Sequence, residues 1–306
     1  MTGRVMLERF LRNAKPYGSG TPKKIPIKWQ KSTSGGSYEM FDTFSTAQSN
    51  ERVLATYYNK YNYWSVVIAN PQIAVNKGDA QVLDLIQTEM DSKTDDMRDA
   101  LSTQVYADGT GNDSKDIEGL GKIVLSSGTY AGLAPGTYAT WVSDEDSDTE
   151  SITLADLKQS IDDCTIGSDE PTIIATTKAV WKTVEGLYHA NLNYYTQVAG
   201  YPKVSGFISA KGGTGQTGDV GFQALYVRGI PMVKDEACTT GFVYVLNEKH
   251  LWFANQKHPI YGAKNGFAWT GFKTPTNMDA SVGQFLLYGN MICDSRRTQA
   301  YLHVKS

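Results

Sequence analysis

The sequence is poor in the residue types that build redox, metal and export machinery. Its 306 residues hold three cysteines, Cys164, Cys238 and Cys293, far apart and without paired spacing, so neither a disulfide framework nor a zinc site is implied. The histidines at 189, 250, 258 and 303 are equally scattered, with no H-E-x-x-H and no acid at ligand spacing. No apolar run approaches 18 residues, which argues against a transmembrane helix. Glu8 and Arg9 stand where a signal peptide needs its apolar stretch, which argues against export by that route. No G-x-S-x-G elbow and no repeat at periods of about 20–50 residues is visible. The expectation is an intracellular protein without a cofactor.

What is present is aromatic and glycine-rich. Eighteen Tyr, six Trp and 29 Gly suit β-rich architecture and broad contact surfaces. Hydrophobic residues at 41% and charged residues at 20% describe a globular chain. The net charge of −3 conceals an asymmetry. Residues 1–38 carry Arg4, Arg9, Arg12, Lys15, Lys23, Lys24, Lys28 and Lys31 against the single acid Glu8, and the remainder is acidic. A basic arm of this kind is either a frayed terminus or one that orders on a partner, attracted by acidic protein or nucleic acid.

The hydrophobic pattern divides the chain. Val5, Met6, Leu7, Phe10 and Leu11 allow a turn or two of amphipathic helix, too short to stand alone in water. Ile25, Ile27 and Trp29 alternate with polar residues, STSGGS supplies a turn, and SYEMFDTF alternates again, which predicts a long projecting hairpin over about 25–60. Val82, Ile86, Met90, Met97, Leu101 and Val105 share one face of a helix over about 78–107, ended by Asp108 and Gly109. Leu120 and its neighbours make a short apolar segment, and TYATWVSDEDSDTESIT reads as an acidic surface loop. Thr153 and Asp156 open a second helix to Cys164, PTIIATT is a buried strand, and KAVWKTVEGLYHANL is a third helix. From Gly221 the chain is β-rich. Helices and strands mix without βαβ alternation, so the fold class is α+β.

Two stretches mimic ligand sites and fall short. Gly213, Gly215 and Gly218 match G-x-G-x-x-G, yet no helix follows, and Asp219 and Val220 stand where a phosphate loop needs Lys and Ser/Thr. Asp144, Asp146, Asp148 and Glu150 alternate like a calcium loop, but Thr149 replaces the turn glycine and Ala155 the bidentate acid. The cysteines and histidines read as packed or surface residues. No catalytic, cofactor-binding or metal-ligating residue is assigned, and a non-enzymatic role is expected.

The order of these features resembles the major capsid proteins of tailed bacteriophages, with the Hong Kong 97-type capsid fold, over nearly the whole chain. ATYYNKYNYWSVVIANPQIAVNKGDAQVLDLIQTEM is similar to the family's passage from the extended loop into the spine helix. MRDALSTQVYADGTGNDSKDIEGLGKIV resembles the helix end, the D-G-T turn and the following I-x-G-L strand. TIIATTKAVWKTVEGLY and GFKTPTNMDASVGQFLLYGNMICDSRRTQAYL resemble the late strand–helix unit and the terminal sheet segment.

The resemblance implies an N-terminal arm over 1–24, an extended loop over 25–60 and a peripheral domain over 61–149 that includes the spine helix at 78–107. An axial domain over 150–285 and a C-terminal return over 286–306 complete the scheme. Pentamers and hexamers of such a subunit would build an icosahedral head around double-stranded DNA, without sequence-specific binding and without a membrane. The head would be a virion component assembled in the bacterial host cytoplasm. Portal, scaffolding and decoration proteins are the implied partners, and Met1 at the start favours a separate scaffold or none. An encapsulin-type compartment is the alternative. Arg4, Arg9, Arg12, Lys23, Lys24, Lys28, Trp29, Lys31, Tyr38 and Phe41 are the expected assembly contacts, and Gly212, Gly213, Gly215 and Gly218 the expected axial loop. No residues matching an inter-subunit Lys–Asn cross-link are identified.

Overall fold

A computed structural model describes residues 4–18, 22–32, 34–44, 49–75, 79–149, 151–196, 225–261 and 267–304. Helix α1 (Val5–Arg12) leads to a two-residue strand, β1 (Lys15–Pro16), then β2 (Lys23–Lys28) and β3 (Arg52–Tyr57). Strand β4 (Lys60–Ala69) and the short α2 (Asn70–Val75) run into α3 (Asp79–Tyr106). Two single turns follow, α4 (Gly111–Ser114) and α5 (Leu120–Ile123), then β5 (Asp144–Thr149), α6 (Leu154–Cys164), β6 (Ile173–Thr176) and α7 (Lys178–Thr196). The rest is strand: β7 (Leu225–Val227), β8 (Ile230–Lys234), β9 (Phe242–Leu246), β10 (Leu251–Asn255), β11 (Phe267–Trp269), β12 (Ala280–Cys293) and β13 (Ala300–Val304).

The long helix stands where the periodicity places it. Met97, Leu101 and Val105, at spacings of four, are buried on one side, and Asp91, Asp95, Asp96 and Asp99 are exposed on the other. At 28 residues it spans about 42 Å. Helix α6 opens with the expected capping box: the Thr153 side chain accepts from the Asp156 N–H, and Asp156 accepts from the Thr153 N–H. Leu157, Ile161 and Cys164 form its buried stripe.

Two sheets organise the body. In the first, β12 pairs antiparallel with β4 over ten residue pairs, Ala280↔Ala69 to Gly289↔Lys60. Its far end pairs with β10, which takes β1 in parallel, and β11 lies against its middle. Gly283 and Gly289 are required in β12. A Cβ at Gly283 would meet the Trp269 ring at 2.2 Å, and one at Gly289 would meet Phe253 at 2.5 Å. The second sheet runs β5-β13-β9-β6-β8-β7. Alternate residues of β6 and β9 serve two cores: Ile173, Ala175, Tyr244 and Leu246 face the main one, while Ile174, Val243 and Val245 pack with α6 and α7. The main core also takes Met6 and Phe10 of α1, Leu101 of α3, and Leu251 and Met291 of the first sheet.

Several expectations need correction. SYEMFDTF is not the returning limb of the hairpin: β2 pairs with β3, Lys28↔Arg52 to Lys23↔Tyr57, so the returning strand is 52–57. Tyr38 to Phe44 lack a core to alternate against, and no strand runs between Trp29 and Glu51 among the described residues. The acidic stretch at 144–149 is a strand, because it finds the open edge of β13. The I-x-G-L segment is not a strand: 117–119 are irregular and lead into the helical turn Leu120–Ile123, with Leu120 and Ile123 buried. The N-terminal helix orders on its own chain. Gly212, Gly213, Gly215 and Gly218 lie outside the described residues.

Candidate assembly surface

The arginines of the arm are engaged inside the chain. Arg4 reaches back to α3, pairing with Asp99 and, at 3.4 Å, with Asp95. Arg9 makes a two-pronged pair with Glu248, with Nη2–H donating to Oε2 at 2.7 Å. The buried carboxylate of Asp235 accepts the Met6 N–H at 2.9 Å, satisfying a first-turn amide of α1. Burial pushes the Asp235 carboxyl above its usual range, while the hydrogen bonds from the Met6 and Ala237 N–H groups pull it back. Beyond the helix, Tyr17 donates its hydroxyl to the Tyr57 carbonyl at 2.7 Å, and β1 adds to the β10 edge. Residues 4–18 therefore strap α3, β10 and the hairpin base together. Arg12, in the last turn of α1, is exposed.

The hairpin carries the lysines outward. Lys24 and Lys31 are exposed, Lys28 stands 3.7 Å from Glu51, and Lys23 is half-buried over the Tyr17 ring. Burial lowers the Lys23 pKa, helped by the neighbouring charge of Lys15. At the loop end of the strand pair Trp29 packs against the body, edge-on to Tyr138 at 5.4 Å, and its carbonyl accepts from the Thr140 hydroxyl.

The loop between β2 and β3 then leaves the body. Tyr38 is 66% exposed and Phe41 95%, and with them stand Met40 at 81% and Phe44 at 68%. Tyr38 and Phe44 touch edge to face at 4.9 Å, so the tip is a small apolar cluster turned to solvent. Met40 and Phe44 were missing from the expected contacts, although both are large apolar residues of the same segment.

A second apolar surface also went unassigned. The outward face of β4 shows Tyr61, Tyr63 and Val67, each at least half exposed, and the β12 register sets Tyr288, Leu286 and Val282 directly opposite. Tyr61 stacks edge-on with Tyr288 at 4.9 Å. The signal was present as Y-x-Y alternation, but Trp64 and Val66 on the other face hid which side stays open.

No cluster of three metal-ligating side chains occurs among the described residues, and none of their helices is long and apolar enough to cross a membrane. His250 does gain acids that its sequence neighbours lack: Asp294 at 2.8 Å and Asp169 at 3.3 Å come from distant segments. Lys249 also pairs with Asp169. The group is a tether between the start of β10, the end of β12 and the turn after α6.

No protein-family model and no curated protein matches the chain. Solved structures do. The capsid asymmetric unit of cyanophage A-1(L) superposes with a TM-score of 0.72 at 15% identity, covering 99% of this chain and 93% of that one. The SrpI encapsulin of Synechococcus elongatus PCC 7942 gives 0.61 at 12%, covering 99% and 87%. The capsid of Myoviridae phage XM1 gives 0.57 at 8%, covering 100% and 93%. At such identities the likeness speaks for architecture, and the chain has the fold of these capsid and encapsulin proteins.

Proposed function

We propose that the chain is the subunit of a self-assembling protein shell, the major capsid protein of a tailed phage. The observation that carries this is the end-to-end superposition on the cyanophage capsid protein, with nothing large left over in either chain. The exposed aromatic tip at 38–44 supports it, since four large apolar side chains gain by burial on a neighbour. In this reading residues 25–60 are the extended loop resting on an adjacent subunit, and α3 is the spine of a peripheral domain. Strands β6 to β9 of the second sheet, with α6 and α7, belong to the axial domain. Pentamers and hexamers close an icosahedral head around double-stranded DNA, with portal, scaffolding and decoration proteins as further partners. Assembly takes place in the host cytoplasm.

Expressed alone and imaged by negative-stain electron microscopy with light scattering, the chain should give shells, tubes, or discrete pentamers and hexamers. A monomer at every concentration and salt tried would count against the proposal. The encapsulin likeness favours a second reading, a compartment holding cargo protein. Gene neighbours separate the two: terminase and portal genes on one side, a cargo enzyme on the other.

A further inference from the structure

Two of the four histidines sit in surroundings that ask for opposite charge states. His258 is buried in the turn that leaves β10. Its Nδ1 accepts from the Ile260 N–H and from the Tyr261 N–H, each at 3.1 Å. Both partners can only donate, so this nitrogen carries a lone pair and the ring proton sits on Nε2. Pro259 has no N–H and fixes its own φ, so the chain brings the next two amides back onto the ring in one tight turn. The ring lies against Tyr261 at 4.9 Å and against Tyr288 of β12 at 5.2 Å, and Tyr288 in turn meets Tyr61 of β4.

Nothing around this ring favours a second proton. Beside the phenols stand Lys257, the preceding residue, and Lys273, whose ammonium donates to the Tyr261 hydroxyl at 2.8 Å and lies over the Tyr261 ring. Among the described residues no carboxylate comes within 4 Å of His258, and the histidine ion pairs all belong to His250. His250 is the reverse case. Its two ring nitrogens face Asp294 at 2.8 Å and Asp169 at 3.3 Å, an arrangement that two N–H groups, the imidazolium, satisfy.

We propose that His258 is an acid-released latch: a proton on Nδ1 opens the 258–261 turn while the body of the chain stays folded. That proton converts the acceptor of two amide hydrogen bonds into a donor, sets N–H against N–H, and adds a cation beside Lys257 and Lys273. The turn is therefore complete at neutral pH and lost as pH falls. Imidazole changes charge between about pH 5 and 8, above the range in which ordinary carboxylates take up protons, so the ion pairs of the body outlast the latch. The freed turn carries the exposed Ile260 and Tyr261, and it ends the row of rings that runs through His258 and Tyr288 to Tyr61 on the outward face of β4. Acid thus loosens the rim of that face. The device belongs to the single subunit and does not depend on the shell reading.

Hydrogen–deuterium exchange tests it, read by mass spectrometry on the full chain at about pH 7.5 and about pH 5 and corrected for the intrinsic pH dependence of exchange. The Ile260 and Tyr261 amides should lose protection at least about tenfold at the lower pH. The Asp169 and Asp294 amides, beside His250, should keep theirs, since the same protons favour that tether. His258→Asn places a carbonyl oxygen, an acceptor that takes up no proton in this range, close to the position of Nδ1. Its turn should be equally protected at both pH values, and that of His258→Ala unprotected at both. Native turn amides that exchange alike at both pH values overturn the latch without any variant. So does a His258→Asn chain that loses protection as the native chain does. Loss at Asp169 and Asp294 together with the turn would mean general acid unfolding and would overturn it as well.

Discussion

Arg296 is completely buried, and among the described residues no carboxylate lies within 4 Å of it. Its Nε–H donates to the Ile123 carbonyl at 2.8 Å, and its Nη groups donate to Leu125 at 2.7 Å and Trp141 at 3.2 Å. Gly128 and Ser127 add longer bonds at 3.4 Å, and Tyr130 lies beneath the guanidinium. Burial pulls the pKa of Arg296 down, and the carbonyl cage offsets that cost with dipoles. Arg296→Met should destabilise by about 3 kcal/mol or more in urea titration, because it strands buried carbonyls. Arg296→Lys should rescue little, since an ammonium lacks the planar fork. Asp169 offers a test in pH. Hydrogen bonds from Lys249 and His250 hold its carboxyl below the usual range, so the folded chain favours the ionised form. The stabilisation is complete above the unfolded Asp pKa of about 3.9 and is lost as pH falls through the lower folded value. Asp169→Asn should therefore lower the melting temperature at neutral pH and flatten the acid limb of the stability curve below about pH 4.

At the scale of elements, the hairpin and the arm part company. The tip loop carries large apolar side chains that support nothing within the chain. Replacing Tyr38, Met40, Phe41 and Phe44 with Ser should leave subunit stability within about 0.5 kcal/mol while abolishing or sharply weakening assembly. Equal loss of both would mean that the tip packs on its own chain. The arm behaves in the opposite way. Its basic character suggested an outside partner, and serine at Arg4, Arg9 and Arg12 tests where its charges act. With Arg4 on α3 and Arg9 on Glu248, the same variant should first destabilise the isolated subunit, by about 2 kcal/mol in low salt and less in high salt. Denaturant melts of the monomer at two salt concentrations measure this directly.

For the whole molecule, one core binds the parts. It runs from α1 through α3 and β10 to the inner face of the second sheet, so the described body should unfold in a single cooperative transition. Much of this architecture could be read beforehand. The 3.6-residue period of α3 and the Thr153–Asp156 capping box are local, set by neighbours a few residues apart, and both appear as expected. The β-branched run of β6 likewise announces a strand buried on both faces.

The sequence by itself determined the long helix, the α+β mixture, the separation of charge along the chain and the aromatic richness, because each is a local or compositional property. Only the tertiary structure decided where those features are used. DEDSDT became a strand because β13 offered it an edge, and SYEMFDTF stayed a loop because nothing did. Arg4 and Arg9 were drawn inward by acids 91 to 239 residues away, leaving the hairpin lysines as the outward basic face. The open side of β4 was settled by which face α3 covers. Pairing and burial depend on partners distant in sequence, and a short-range pattern carries no record of them.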